Sequence, residues 1–371
     1  MNRPKRVRVK RKSRRALRQR NYSLVALAII ILLACLFALL RTKGMLPANE
    51  AAQDWYELKK EDKVLVRLPA DDAAHDNYTE WWYYNGHLEA QDGHKYSFHY
   101  AVFLLNAFAV HTVIHASFTD EETGQRYLYQ ARMGGNPSGD TVQGFDFTLG
   151  EWLMRGVDGV DRIQGKTEQF SFNLDLFSQR PPVFQGGTGL LDFMAAGTSY
   201  YYTRPRMAIE GYAGLKGKEQ AVTGTAWFDH QWGDFRTTLL GWEWFALQLD
   251  DGADIMLYQL YSGDGDALLV SGTYSKNGVT TVLGSDDVIT SPLNYWQSPL
   301  SGVDYPLSWS VELPRQKVKV LLDPVHKSSE FDARKTTYNL YWEGAIQISG
   351  SHKGRGFLEI SPVKTRADSK Q

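Results

Sequence analysis

The sequence predicts an all-β protein, antiparallel barrels or sandwiches, after an N-terminal transmembrane helix. Three observations lead there. From about Asp76 onward, short aromatic and β-branched runs are broken by Gly, Asp, Asn and Pro, and no long helical period appears after residue 60. Hairpin turns are legible at Gln91-Asp92-Gly93, Asp250-Asp251-Gly252, Gly263-Asp264-Gly265 and Lys276-Asn277-Gly278. Ahead of all this, an uncharged apolar segment follows a strongly basic one.

The first element, residues 1–22, is a basic tail: Arg3 to Arg20 holds eleven Lys/Arg and no acid. Residues 23–40 run 18 residues without a charge. As a helix this segment is ~27 Å long, enough to cross a hydrocarbon core. The basic flank keeps the tail cytoplasmic and exports the rest. Arg41 and Lys43 follow at once and no small-x-small cleavage site is visible, so the segment reads as an uncleaved signal anchor in the cytoplasmic membrane. A lipoprotein-like box at Leu32-Leu33-Ala34-Cys35 and a twin-arginine pattern at Ser13-Arg14-Arg15-Ala16-Leu17 are weaker readings of the same stretch.

Residues 41–75 read as a linker, 76–235 as the first barrel domain and 236–365 as the second, with the boundary near Phe235. Two domains suit a 371-residue chain, and 43% hydrophobic with 13% aromatic residues can fill their cores. Phe170 to Phe177 alternates apolar and polar as a half-buried strand does, and Lys317 to Leu322 more weakly. Two similar aromatic hairpins read either as an internal repeat, each opening one barrel, or as chance similarity. Trp82 leads through Leu88 to the Asp92-Gly93 turn and a second strand, and Trp244 leads through Leu247 and Leu249 to Asp251-Gly252 and another. One cysteine excludes a disulfide framework and a Cys-based zinc cage. Beyond residue 43 the chain holds 28 basic against 42 acidic residues, a net of −14, which argues against a nucleic-acid partner.

Two aromatic-acid clusters carry the chemistry: Asp76 to Leu88, containing Glu80-Trp81-Trp82-Tyr83-Tyr84, and Gly224 to Gly233, containing Trp227-Phe228-Asp229-His230-Gln231-Trp232. Alternate strand residues share a face. Glu80, Trp82 and Tyr84 therefore point one way, and Trp81, Tyr83 and His87 the other. Trp227, Asp229 and Gln231 share a face opposite to Phe228, His230 and Trp232, so a regular strand turns His230 away from Asp229. A carboxyl among indoles is poorly solvated, its pKa rises, and it can act as a general acid. It can equally be a structural acceptor for indole N–H groups or an arginine. Arg204 and Arg206, two apart, would share a face and clamp an acidic head group, or neutralise Asp229 or Glu80.

The first cluster resembles the Glu-Trp-Trp-Tyr-x-x-Gly-His-Leu opening of the family that includes AttH-type secreted proteins and the carotenoid 1,2-hydratases. The second resembles that family's Trp-x-Asp-His-Gln/Glu-Trp-Gly signature. Ser199 to Arg206 and Gly241 to Gly252 are similar to two further stretches of it. The resemblance implies two lipocalin-like barrels, no metal and, in the hydratase branch, a catalytic aspartate at the position of Asp229; no cofactor is expected. It also implies that members are often labelled secreted hydrolases and that some accompany ABC exporter subunits. The His-x-Trp pair of the hydratase branch stands here as Tyr200-Tyr201-Tyr202.

Six of the nine histidines fall between residues 75 and 115, but their spacings fit no familiar metal site. The absence of a Gly-x-Ser-x-Gly elbow argues against an α/β-hydrolase. The resulting expectation is a membrane-anchored, extracytoplasmic, lipocalin-like protein that binds a lipid or isoprenoid-like molecule through Trp82, Tyr84, Tyr200, Tyr202, Arg204, Trp227, Trp232 and Trp244. An alternative is a hydratase or hydrolase in the same pocket. Asp229 would be the acid, and His230, Glu80 or His99 would activate water. A third is an accessory subunit of an ABC exporter.

Overall fold

A computed structural model describes residues 63–138, 143–236, 240–263 and 265–361. The basic tail, the anchor segment and most of the linker expected at 1–62 lie outside the described residues. Among the described residues no helix is long and apolar enough to cross a membrane.

The structure is all-β, built on two curled antiparallel sheets that form half-barrels. The first contains β1 (Thr79–Ala90), β2 (Lys95–Asn106), β3 (Val110–Asp120), β4 (Arg126–Gly134), β5 (Phe145–Leu149), β6 (Trp152–Val157), β7 (Val160–Lys166), β8 (Phe170–Ser178), β9 (Val183–Phe184), β10 (Leu190–Asp192), β11 (Thr198–Leu215) and β12 (Lys218–Gly233). Its order is β4-β3-β2-β1-β12-β11-β8-β7-β6-β5, with β9 and β10 both pairing to β11. The second contains β13 (Leu240–Leu249), β14 (Asp254–Ser262), β15 (Ala267–Lys276), β16 (Val279–Leu283), β17 (Ile289–Gln297), β18 (Asp304–Leu313), β19 (Val318–Pro324), β20 (Glu330–Ala333), β21 (Asn339–Gly350) and β22 (Gly354–Ser361). Its order is β16-β15-β14-β13-β22-β21-β19-β18-β17, with β20 on β21. In both sheets a four-strand meander runs outward from the centre, and the sheet's last strand closes against its first.

The turns align the two halves more finely than the tryptophans do. Ala90 N–H bonds His94 O and Gly93 N–H bonds Ala90 O. Leu249 N–H likewise bonds Ala253 O, and Gly252 N–H bonds Leu249 O. Gly93 and Gly252 both adopt a left-handed φ, 86° and 87°, which a side chain would strain. Matching the turns offsets the halves by an odd number of residues, whereas Trp82 and Trp244 are an even number apart. These two rings therefore sit on opposite faces of their sheets.

Each sheet carries its own apolar core on one face. Trp82, Tyr84, Phe98, Phe118, Phe147 and Phe172 lead the first core, and Phe245, Leu257, Trp309, Val320, Trp342 and Leu358 the second. A third cluster, with Tyr83, Tyr201, Trp227, Trp244, Tyr258 and Phe357, lies in the seam where the outer face of β1, β2, β11 and β12 meets the second sheet. Polar bonds stitch that seam: Gln248 Nε2 donates to Pro205 O at 2.7 Å, and Arg206 pairs with Asp254 at 2.7 Å.

Candidate functional site

The β1–β12 register is unbroken from Thr79↔Gly233 to Ala90↔Val222, so the alternation holds through both clusters. One face carries Glu80, Trp82 and Tyr84 beside Trp232, His230 and Phe228, and it looks into the first core. The other carries Trp81, Tyr83 and Asn85 beside Gln231, Asp229 and Trp227, and it looks into the seam. No bulge turns His230 toward Asp229.

The seam encloses a cavity of about 210 Å³. It lies between the sheets, whereas a pocket inside a barrel was expected. Cross-strand pairing builds its two walls. Across the first sheet runs the row His115, Ala101, Tyr83, Asp229, Thr203. Across the second runs Glu343, Glu359, Trp244, Tyr258. All of these except Thr203 line the cavity, together with His99, Trp81, Phe103, Tyr201 and Trp242.

Asp229 is the best-defined group. Its Oδ1 accepts from Thr203 Oγ1 at 2.6 Å and Trp227 Nε1 at 2.9 Å, and its Oδ2 accepts from the Tyr201 hydroxyl at 2.6 Å. Trp244 Nε1, from the opposite wall, donates to that hydroxyl at 3.0 Å. Burial disfavours the charged form more than these donors favour it, and the carboxyl is pushed up to about 7. Among the described residues no cation pairs with it. Arg204 is buried against Asp72 at 3.0 Å, and Arg206 reaches Asp254. The two arginines do not share a face as expected, because the β11 register shifts between Arg204 and Met207, around Pro205, which has no N–H to give a ladder.

Two further carboxyls line the same cavity. Glu359 accepts from Trp242 Nε1 at 2.9 Å, and burial, with the Asp229 charge adding to it, pushes it up to about 7. Glu343 stands directly opposite Glu359, and burial plus the charge of that neighbour raise it well above the carboxylate range. The Tyr83 hydroxyl donates to Glu343 Oε1, and Asn85 Nδ2 donates to the Tyr83 oxygen at 3.0 Å. His99 Nδ1 lies 3.1 Å from Glu343 Oε2 and 2.7 Å from Ser117 Oγ. Burial first, then Arg126 and His115, hold His99 well below the usual imidazole range, so it is neutral. His115, pushed down to about 3 by burial, meets Tyr341 OH and Thr336 Oγ1 at 3.0 and 2.8 Å.

Of the residues named from sequence, the structure brings Asp229, His99, Trp227 and Trp244 to the seam. Trp82, Tyr84, Tyr200, Tyr202, Arg204 and Trp232 belong to the interior of the first sheet. Tyr202 and Arg204 both hold Asp72 there. Glu80 and His230 meet on the interior face too. Glu80 Oε1 receives His230 Nε2 at 2.8 Å and lies 2.7 Å from His75 Nδ1, while Oε2 accepts the His75 backbone N–H at 2.8 Å. Burial opposes its charge, but the two histidines outweigh burial and hold Glu80 below its usual value. The donor atoms of His75, Glu80 and His230 lie within 4.8 Å of one another, a spacing that a metal ion can use. Glu80's oxygens are already occupied by this hydrogen bonding, which pins the segment before β1 onto the sheet. The sequence reading missed Glu343, Glu359 and Tyr201. The first two leave one trace, a lone glutamate in an apolar strand: Tyr341-Trp342-Glu343-Gly344-Ala345 and Phe357-Leu358-Glu359-Ile360.

The AttH-like family model matches residues 59–362. An AttH-like protein of Nitrosomonas europaea has a similar structure: 27% identity, TM-score 0.73, covering 80% of this chain and 97% of that one. Kievitone hydratase from Nectria haematococca shares the fold at 18% identity and TM-score 0.67, over 82% of this chain and 95% of that one. CghA in complex with Sch210972 shares it at 11% identity and TM-score 0.53, over the same fractions. No functionally curated protein matches the chain.

Proposed function

The chain belongs to the AttH-like family, and from that premise we propose that its inter-sheet cavity binds a hydrophobic molecule and that Asp229 protonates it, in a hydratase-type addition or removal of water. One observation carries the reading: a carboxyl without a cationic partner, walled by indole and phenol rings, with its pKa pushed up to about 7. A general acid works best when its pKa lies near the operating pH.

In the hydration direction the protonated Asp229 gives its proton to an alkene carbon. The cation that forms faces the rings of Trp81, Tyr83 and Trp244, which stabilise it by cation–π attraction. Water adds to the cation and loses a proton to a second carboxyl in its ionised form. Glu359, on the facing wall, suits that role. Solvent then exchanges protons to restore both groups. Kievitone hydratase, by its name a water-adding enzyme, keeps this fold, which is consistent with the reading.

The test begins with lipid extraction and native mass spectrometry of the purified protein. The extracted ligand is then incubated with the protein in H₂¹⁸O and in D₂O. Wild type should place ¹⁸O and carbon-bound deuterium in the ligand, and Asp229→Asn should not. A ligand that is bound but never labelled makes the protein a carrier. We further propose that residues 23–40 anchor the chain in the cytoplasmic membrane with its sheets outside and that an ABC exporter is a hand-over partner. Fractionation and pull-down of the full-length protein test both.

A further inference from the structure

We propose that the cavity takes a molecule with an apolar body and one anionic end group, a carboxylate or its equivalent, held at the mouth by Arg132 and Arg236. This rests on the reading that the cavity binds a hydrophobic ligand, and adds the chemical class of that ligand.

The cavity has two chemically different ends. Its inner end holds Asp229 and Glu343, both buried, among rings. Its outer end is formed by Tyr78 and Tyr338, 38% and 64% exposed, with Asn106, Asn339 and the two exposed arginines. Each guanidinium lies over a rim tyrosine, Arg132 at 5.6 Å from the Tyr338 ring and Arg236 at 5.8 Å from Tyr78. Stacking of this kind keeps the charge at the opening and leaves the N–H fork free for an acceptor. Arg132 spends one N–H on Thr336 O at 2.9 Å.

Neither arginine pairs with a carboxylate among the described residues. Seven of the other ten described arginines do: Arg67, Arg162, Arg180, Arg204, Arg206, Arg315 and Arg334, while Arg126, Arg155 and Arg355 do not. Two unpaired cations on one rim are notable in a body of net charge −14. Long-range attraction in such a body favours cations, so local groups at the mouth must hold an anion. A bidentate guanidinium fork matches a carboxylate or phosphate oxygen pair. An end group fixed there would point the apolar body inward, toward Asp229.

The probes are decanoate and decan-1-ol, equal in chain length and different in charge. Binding is read at about pH 6 from the fluorescence of the cavity tryptophans, Trp81, Trp242 and Trp244. Decanoate should bind about tenfold or more tighter than the alcohol, the worth of one charge-assisted hydrogen bond. Arg132→Gln combined with Arg236→Gln should abolish that preference and leave decanol affinity unchanged. Added NaCl should weaken decanoate binding to the wild type and leave decanol alone, a measurement that needs no variant. Equal affinities for acid and alcohol overturn the rim assignment and leave the cavity reading standing. Tighter binding of decyltrimethylammonium than of decanoate overturns it in favour of a cation drawn to the inner carboxyls. Failure of all three probes to bind removes the cavity reading and the rim with it.

Discussion

Replacing Asp229 by asparagine isolates the cost of burying one carboxyl. The side chain keeps its shape, and its amide oxygen can still accept from Thr203 and Trp227. The amide nitrogen replaces an acceptor for the Tyr201 hydroxyl, so one hydrogen bond is inverted, at about 0.5–1.5 kcal/mol at any pH. The pH-dependent part is larger. Folding raises this carboxyl from 3.8 to about 7. The folded state therefore binds a proton that the unfolded state has released, and stability falls as pH climbs through that window. One pKa unit is ~1.4 kcal/mol, so between pH 5 and pH 8 the wild type should lose roughly 3 kcal/mol that the variant retains. Urea unfolding of both proteins at pH 5, 6, 7 and 8 measures this. The wild-type curve should fall toward the variant's or cross it. Parallel curves would show that Asp229 is ionised in the fold throughout, and the acid role would go with it.

Other outcomes follow from the same geometry. Arg204→Met leaves Asp72, Tyr202 and Asp161 around an uncompensated buried charge, and should cost about 3–5 kcal/mol in chemical denaturation while leaving the seam intact. Gly86→Ala places a methyl 2.8 Å from the Phe98 ring and 2.9 Å from Thr225 O. The neighbouring backbone cannot give way, and a loss of about 1–3 kcal/mol is expected in thermal melts. Once a substrate is in hand, kcat/KM should trace a bell centred near pH 7. The alkaline limb would come from loss of the Asp229 proton and the acid limb from protonation of the base, both groups being pushed up to about 7. Glu359→Gln should lower kcat/KM, flatten the acid limb and, by removing a like charge beside Asp229, move the alkaline limb to lower pH.

Much of the fold was legible because β-structure writes itself locally. Turn residues marked the hairpins, and the period of two correctly separated Asp229 from His230. What alternation cannot say is which side of a strand is inside. Trp81-Trp82-Tyr83-Tyr84 carries rings on both faces because both are buried, one against a core and the other against a second sheet, so polarity gave no sign. The carboxyl was therefore expected within a barrel, when its face is the seam. Tyr201 was passed over for Tyr200 and Tyr202 for the same reason, since choosing the middle of three tyrosines requires knowing the face. Glu343 and Glu359 were hidden by distance, more than 100 residues from Asp229 and brought to it only by the docking of two sheets. Arg204 and Arg206 were split by a register shift at Pro205, a feature that strand periodicity does not encode.

The division of the acidic groups between two sheets separates working capacity from foldedness. Asp229 and Tyr83 come from one half, and Glu343, Glu359 and Trp244 from the other. A slight parting of the halves would break the Tyr83–Glu343 and Trp244–Tyr201 contacts and flood the carboxyls with solvent. Their affinity for protons would drop back to ordinary levels while both hydrophobic cores stayed whole. Such a molecule would register as native by circular dichroism and yet have lost the buried acid, so warming would open the seam before either half melts.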